Sequence, residues 1–136
     1  MSEVAPVEIA TAEGRLVLAD SITQVRPAHE GAVFVTGSHG GRSSAGYAKE
    51  VRALVYAFND AGIGRDAAGI AALDILEGVG IAAITVDAAT ARIGEAANTF
   101  ERGIVSHVNS AAAALGYRTG LALRELVKRH IGRFPS

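Results

Sequence analysis

The stretch Val33-Phe34-Val35-Thr36-Gly37-Ser38-His39-Gly40-Gly41-Arg42-Ser43-Ser44 decides the fold. A short apolar run stops at a polar, glycine-bearing loop, and a helix-like segment follows. The same order recurs twice. Leu54-Val55-Tyr56-Ala57-Phe58 leads into Asn59-Asp60-Ala61-Gly62-Ile63-Gly64, and Ile81-Ala82-Ala83-Ile84-Thr85-Val86 leads into Asp87-Ala88-Ala89-Thr90-Ala91-Arg92. Three repeats of strand, polar loop and helix predict a mainly parallel sheet with all three loops at one edge. Open α/β sheets take ligands outside the carboxyl ends of their strands. The three loops therefore mark the expected site.

Outward from this core, residues 4–25 read as a β-hairpin. Val7 and Ile9 alternate with smaller or polar residues, Ala12-Glu13-Gly14-Arg15 supplies the turn, and Leu16-Val17-Leu18 returns. Ser43 or Ser44 is expected to cap a helix through residues 47–52. Asp66 is expected to cap the next helix, with Ile70, Leu73, Ile75 and Leu76 on its buried side and Gly78 and Gly80 at its end. Residues 100–115 read as one helix with Ile104, Val105, Val108, Ala112 and Leu115 on one side. An amphipathic segment over 119–131 closes the chain. The expected architecture is a single α/β domain over 1–136. Its parts are a hairpin and connection (1–30), a βαβαβα core in a Rossmann-like three-layer arrangement (31–116) and a C-terminal helix (117–136).

At 136 residues, with 49% hydrophobic and 20% charged residues, the composition suits one globular core. Trp is absent and aromatics are few, so the core must be built from Ala, Val, Ile and Leu among many glycines. Such elements carry little apolar area each, which points to a homo-oligomer. The formal net charge is −1 with no large basic block, so nucleic acid is not an expected partner. The absence of cysteine removes disulfides, thiolate zinc sites and thiol nucleophiles, and fits a cytoplasmic protein. Residues 1–7 lack the basic and apolar regions of a secretory signal. No segment approaches the roughly 20 apolar residues that span a bilayer, so no membrane partner is expected.

The first loop is the richest. Gly40 and Gly41 let backbone approach a ligand, and consecutive amides ahead of a helix form an anion-binding concavity. Ser38 adds a hydroxyl and His39 an acid–base imidazole. The competing reading is a tight turn in which Ser38 caps and glycine relieves strain. In the second loop, Asn59 and Asp60 leave a strand at its carboxyl end, where Asp60 can act as a general base or simply satisfy turn amides. The spacing G-x-G-x-x-x-x-G over 62–69 departs from the dinucleotide fingerprint, and no P-loop ending is present. NAD and ATP are thus rejected and no cofactor is expected. In the third loop, Arg92 can clamp a carboxylate or phosphate, or form a surface ion pair with Glu95 or Glu101. Glu95 is a weaker acid–base candidate. A divalent ion shared by His39, Asp60, Asp87 and Glu95 has no short-range ligand motif behind it, and no metal is assigned. Ser106 and His107, adjacent on the expected helix, would point about 100° apart and form no triad. Ser106 and Asn109 would share a face.

These residues point to a small soluble enzyme acting on a compact polar or anionic substrate, a carboxylate, amide or phosphate. The chemistry would be that of a lyase, isomerase or hydrolase. His39 and Asp60 would move protons, while Ser38, Gly40, Gly41, Asn59, Arg92 and Glu95 would bind substrate. The alternative is a non-catalytic ligand-binding or assembly subunit of a larger complex.

Overall fold

The computed structural model describes residues 4–135 of the chain. Residues 1–3, part of the amino-terminal stretch read above for a secretory signal, lie outside the described residues. Six strands form one sheet: β1 Val7–Ala10, β2 Arg15–Ala19, β3 Val33–His39, β4 Val55–Asn59, β5 Ala83–Val86 and β6 Val105–Val108. They lie in sequence order, β1-β2-β3-β4-β5-β6. The pairs β2–β3, β3–β4 and β4–β5 are parallel, while β1–β2 and β5–β6 are antiparallel. The order reversal of a doubly wound Rossmann sheet is therefore not found among the described strands. Parallel pairing also begins one strand earlier than expected, at β2.

Among the described residues five α-helices flank the sheet: α1 Arg42–Ala48, α2 Ala71–Glu77, α3 Ala96–Arg102, α4 Ser110–Ala114 and α5 Leu123–Ile131. Strand alternation divides the core in two. Phe34, Tyr56, Phe58 and Ala83 face α1 and α2, which contribute Ala45, Ala48, Leu73 and Leu76. Val33, Val35, Val55, Ala57, Ile84 and Val86 face the other way, toward Phe100 of α3 and Leu123, Leu126, Val127 and Ile131 of α5. All five residues of β4 are buried, as befits a strand covered on both faces. The result is a three-layer α/β arrangement. Among the described residues no helix is long and apolar enough to cross a membrane.

Residues 100–115 do not form one helix. α3 ends at Arg102, β6 occupies 105–108, and α4 starts at Ser110. Gly103 is one cause. A Cβ there would lie 2.7 Å from Val86 Cγ1 and closer still to the Thr99 carbonyl oxygen, so the chain turns off the helix directly onto β5. Asn109 is the other. It is buried, accepts from the amides of Ala83 and Ala112 (3.0 Å each), and donates to the carbonyls of Ile81 (2.9 Å) and Leu73 (3.2 Å). This makes it the N-cap of α4 and a bolt between α4, β5 and α2. Two expected caps also differ. Gly41 precedes α1, with Ser44 Oγ donating to the His39 carbonyl (2.6 Å) instead. Asp66 sits in a left-handed conformation (φ 55°) inside a 3-10 segment rather than at the start of α2.

Two histidines make the packing pH-dependent. His130 accepts or donates at Nδ1 with the buried Tyr117 hydroxyl (2.9 Å), and its ring meets Tyr117 edge-on. Burial lowers its pKa below the ordinary 6.5. His29 is likewise lowered, by burial first and then by Arg15 and Arg26, against an opposing pull from Glu8. Folding thus favours the neutral rings. Their contribution is complete above pH 6.5 and is lost as pH falls through that value toward the folded-state pKa, because the unfolded chain takes up protons first. The thermal midpoint should accordingly drop between pH 7.5 and 5. His130→Gln, which removes one titrating ring, should drop less; an equal drop would refute the assignment.

Candidate functional site

The three loops do share one edge of the sheet, and short contacts tie them together. β3 is irregular between Val35, opposite Ala57, and His39, opposite Asn59, so Thr36-Gly37-Ser38 bulges out of the ladder. The third loop lies directly on that bulge. Gly94 N donates to Gly37 O (2.7 Å), and the Ala96 amide at the start of α3 donates to Asp20 Oδ1 at the end of β2 (2.9 Å). α1 and α2 leave toward one face, and α3 follows β5 onto the other. The connections after neighbouring strands β4 and β5 therefore diverge. Divergence of this kind opens a crevice at the carboxyl edge of an α/β sheet, even where the strand order never reverses.

A cleft of about 890 Å³ occupies that crevice, with Asn59, Thr90, Arg92, Glu95, Asn98 and Arg102 among its lining residues. Three of the expected binding residues meet here: Asn59, Arg92 and Glu95. Asn59 is fully buried, accepting from Ala61 N (2.7 Å) and donating to Ala91 O (3.2 Å), so it shapes the floor by holding the second and third loops. Arg92 is mostly exposed at the rim, 3.9 Å from Glu95, with both side chains open to solvent. An ion pair so exposed is worth little and yields readily to another anion. The Arg92 amide donates to Asn98 Oδ1 (2.7 Å), which fixes the backbone of the rim.

The other expected residues stand elsewhere. Asp60 is buried and does not line the cleft. Its Oδ1 accepts from Gly62 N (2.8 Å) and Ala88 N (3.0 Å), which staples the second loop to the third. The Ser38 hydroxyl accepts from Ile22 N (2.9 Å), the first amide of a 3-10 turn that follows β2 and is capped by Ser21. His39 is exposed, and its ring lies against Gly41. Gly40 is buried between β4 and α2, donating to Asn59 O (2.9 Å) and accepting from Ala72 N (2.8 Å). Asp87 Oδ1 accepts from Ala89 N (2.8 Å) in its own turn. Among the described residues no group of three or more His, Asp or Glu side chains is placed to hold a metal ion, and His39, Asp60, Asp87 and Glu95 do not gather.

Sequence reasoning missed Asn98 and Arg102. They are four residues apart on α3 and so share a face. Starting the helix at 96 instead of 100 would have exposed that pairing. The cleft's charged side chains are then two guanidiniums and one carboxylate, a lining that favours an anion carrying planar oxygens. Compared with known protein families, curated proteins and solved structures, the chain matches none.

Proposed function

We propose that this protein binds a compact anionic molecule, a carboxylate or phosphate, in the cleft between the loops that follow β4 and β5. One observation carries the reading: Arg92 from the third loop and Arg102 from α3 line the same polar cleft at the carboxyl edge of the sheet. Asn98 and Asn59 hold the surrounding backbone in place. The acid–base chemistry expected from His39 and Asp60 has less support, because neither lines this cleft and one oxygen of Asp60 already accepts two amides. Binding without turnover is thus the function favoured for this cleft.

The test uses inorganic phosphate and citrate as probes, with chloride at matched ionic strength as control. Both probes should raise the thermal midpoint of the intact protein, and titration calorimetry should give saturable binding. Arg92→Ala and Arg102→Ala should each weaken binding by about tenfold, the loss of one charge-assisted contact at about 1.4 kcal/mol. Parental affinity in both variants, or a response no larger than that to chloride, would refute the site.

A further inference from the structure

We propose that Ser106 is a nucleophile activated by His107 for acyl transfer, in a second site on the face of the sheet opposite the anion cleft. The inference is independent of the binding proposal. In a regular strand, neighbours such as Ser106 and His107 point to opposite faces. Here the ladder is irregular: Val86 pairs with Val105 and Thr85 with His107, leaving Ser106 as an extra residue. A bulge of this kind re-aims side chains. It brings both onto Thr85, whose Oγ1 lies 2.9 Å from Ser106 Oγ and 3.3 Å from His107 Nδ1. Ser106 Oγ and His107 Nδ1 are themselves 3.3 Å apart.

Position and burial give the three groups different roles. Thr85 is fully buried and follows Ala83 on the α1/α2 side of β5, whereas α3 and the anion cleft lie on the other side. Ser106 and His107 are half-buried and reachable from solvent. The cluster abuts the loops, since a Cβ on Gly40 would lie 3.1 Å from Thr85 Cγ2 and 2.8 Å from the Gly69 carbonyl oxygen. Gly40 of the first loop therefore borders Thr85 on this face of the sheet. With the His107 proton on Nε2, Ser106 donates to Nδ1 and Thr85 donates to Ser106 Oγ. Thr85 then steadies the negative charge that develops on Oγ as the proton leaves.

The substrate class is a small activated acyl compound such as an ester. Oγ attacks the carbonyl carbon, the Oγ–C bond forms as the C–O bond to the leaving alcohol breaks, and the serine proton passes through His107 to that alcohol. Water then cleaves the acyl-serine, with His107 taking and returning its proton. Ser106 and His107 are positioned for this chemistry as a nucleophile–base pair at the long end of hydrogen-bond reach, which is usual without substrate.

The experiment treats the intact protein with a fluorophosphonate probe and maps the product by mass spectrometry. Attack forms an Oγ–P bond, releases fluoride and leaves the proton on His107. One probe per chain should appear on Ser106, none should appear there in Ser106→Ala, and His107→Gln should label at least tenfold more slowly with an unchanged thermal midpoint. Thr85→Val should slow labelling severalfold. Absence of labelling at Ser106 in the folded protein would overturn the proposal. So would an unchanged rate in His107→Gln, and so would labelling of another residue alone. Where a variant loses its fold, p-nitrophenyl acetate decides with the unmodified chain: a burst of one p-nitrophenol per chain, blocked by prior fluorophosphonate, supports the site, and no burst refutes it.

Discussion

Asn109→Ala should lower the stability of this protein by roughly 3–5 kcal/mol, among the larger costs of a single side-chain truncation. The side chain makes four hydrogen bonds in a buried setting: two accepted by Oδ1, from Ala83 and Ala112, and two donated by Nδ2, to Leu73 and Ile81. Alanine supplies none, and the space it leaves does not move the four backbone groups to new partners. Each stranded buried group costs about 1–3 kcal/mol, and the lost N-cap is one of them. For a chain of this size the thermal midpoint should fall on the order of 10 °C. Asn109→Asp separates the terms. It keeps both accepted bonds but sets a carboxylate against the Leu73 and Ile81 carbonyls, so it should also be strongly destabilised. Asn98→Ala, at a half-buried position with one side-chain hydrogen bond, should cost less than about 1.5 kcal/mol. If urea titration gave Asn109→Ala a loss comparable to that of Asn98→Ala, the bolting role would fail.

The same residue shows where the sequence is legible and where it is not. Strands β3, β4 and β5 announce themselves because their apolar runs are too short for helices and each ends in a turn-forming loop. Their parallel order follows from the helices between them. The segment 100–115 misleads because Ile104, Val105, Val108 and Ala112 satisfy helical spacing, although Val105-Ser106-His107-Val108 forms an edge strand. Local pattern does not report that Gly103 lies against Val86, or that Asn109 has three partners distant along the chain. Asp60 is a comparable case. Its place after a strand suggests chemistry, while its actual amide partners, one of them 28 residues away, are tertiary facts. What the sequence did carry was the edge of the sheet at which Asn59, Arg92 and Glu95 meet. Which of the eight expected residues share one cavity depended on the face chosen by α3, and no local periodicity encodes that choice.

Gly37→Ala should disable the cleft and destabilise the fold together. Gly37 is buried at the bulge of β3, and the third loop crosses it at backbone contact. An added Cβ would stand 2.7 Å from Gly94 Cα and closer still to the Gly94 carbonyl carbon and the Glu95 nitrogen. These are main-chain atoms, so no rotamer change relieves the overlap. Either the bulge or the loop must shift, and the hydrogen bond from Gly94 N to Gly37 O goes with it. Overpacking of this kind costs roughly 1–3 kcal/mol. The displaced loop carries Glu95 and, three residues earlier, Arg92, so the rim moves relative to Arg102. Phosphate and citrate affinity should therefore fall at least tenfold even under conditions where the variant remains fully folded. The control is Gly46→Ala on α1, where an added Cβ meets nothing within 4 Å and should leave both stability and binding near the parent values. Separating the two losses decides the matter. A destabilised Gly37→Ala that still binds the probes at parental affinity would mean that the third loop does not position the anion site.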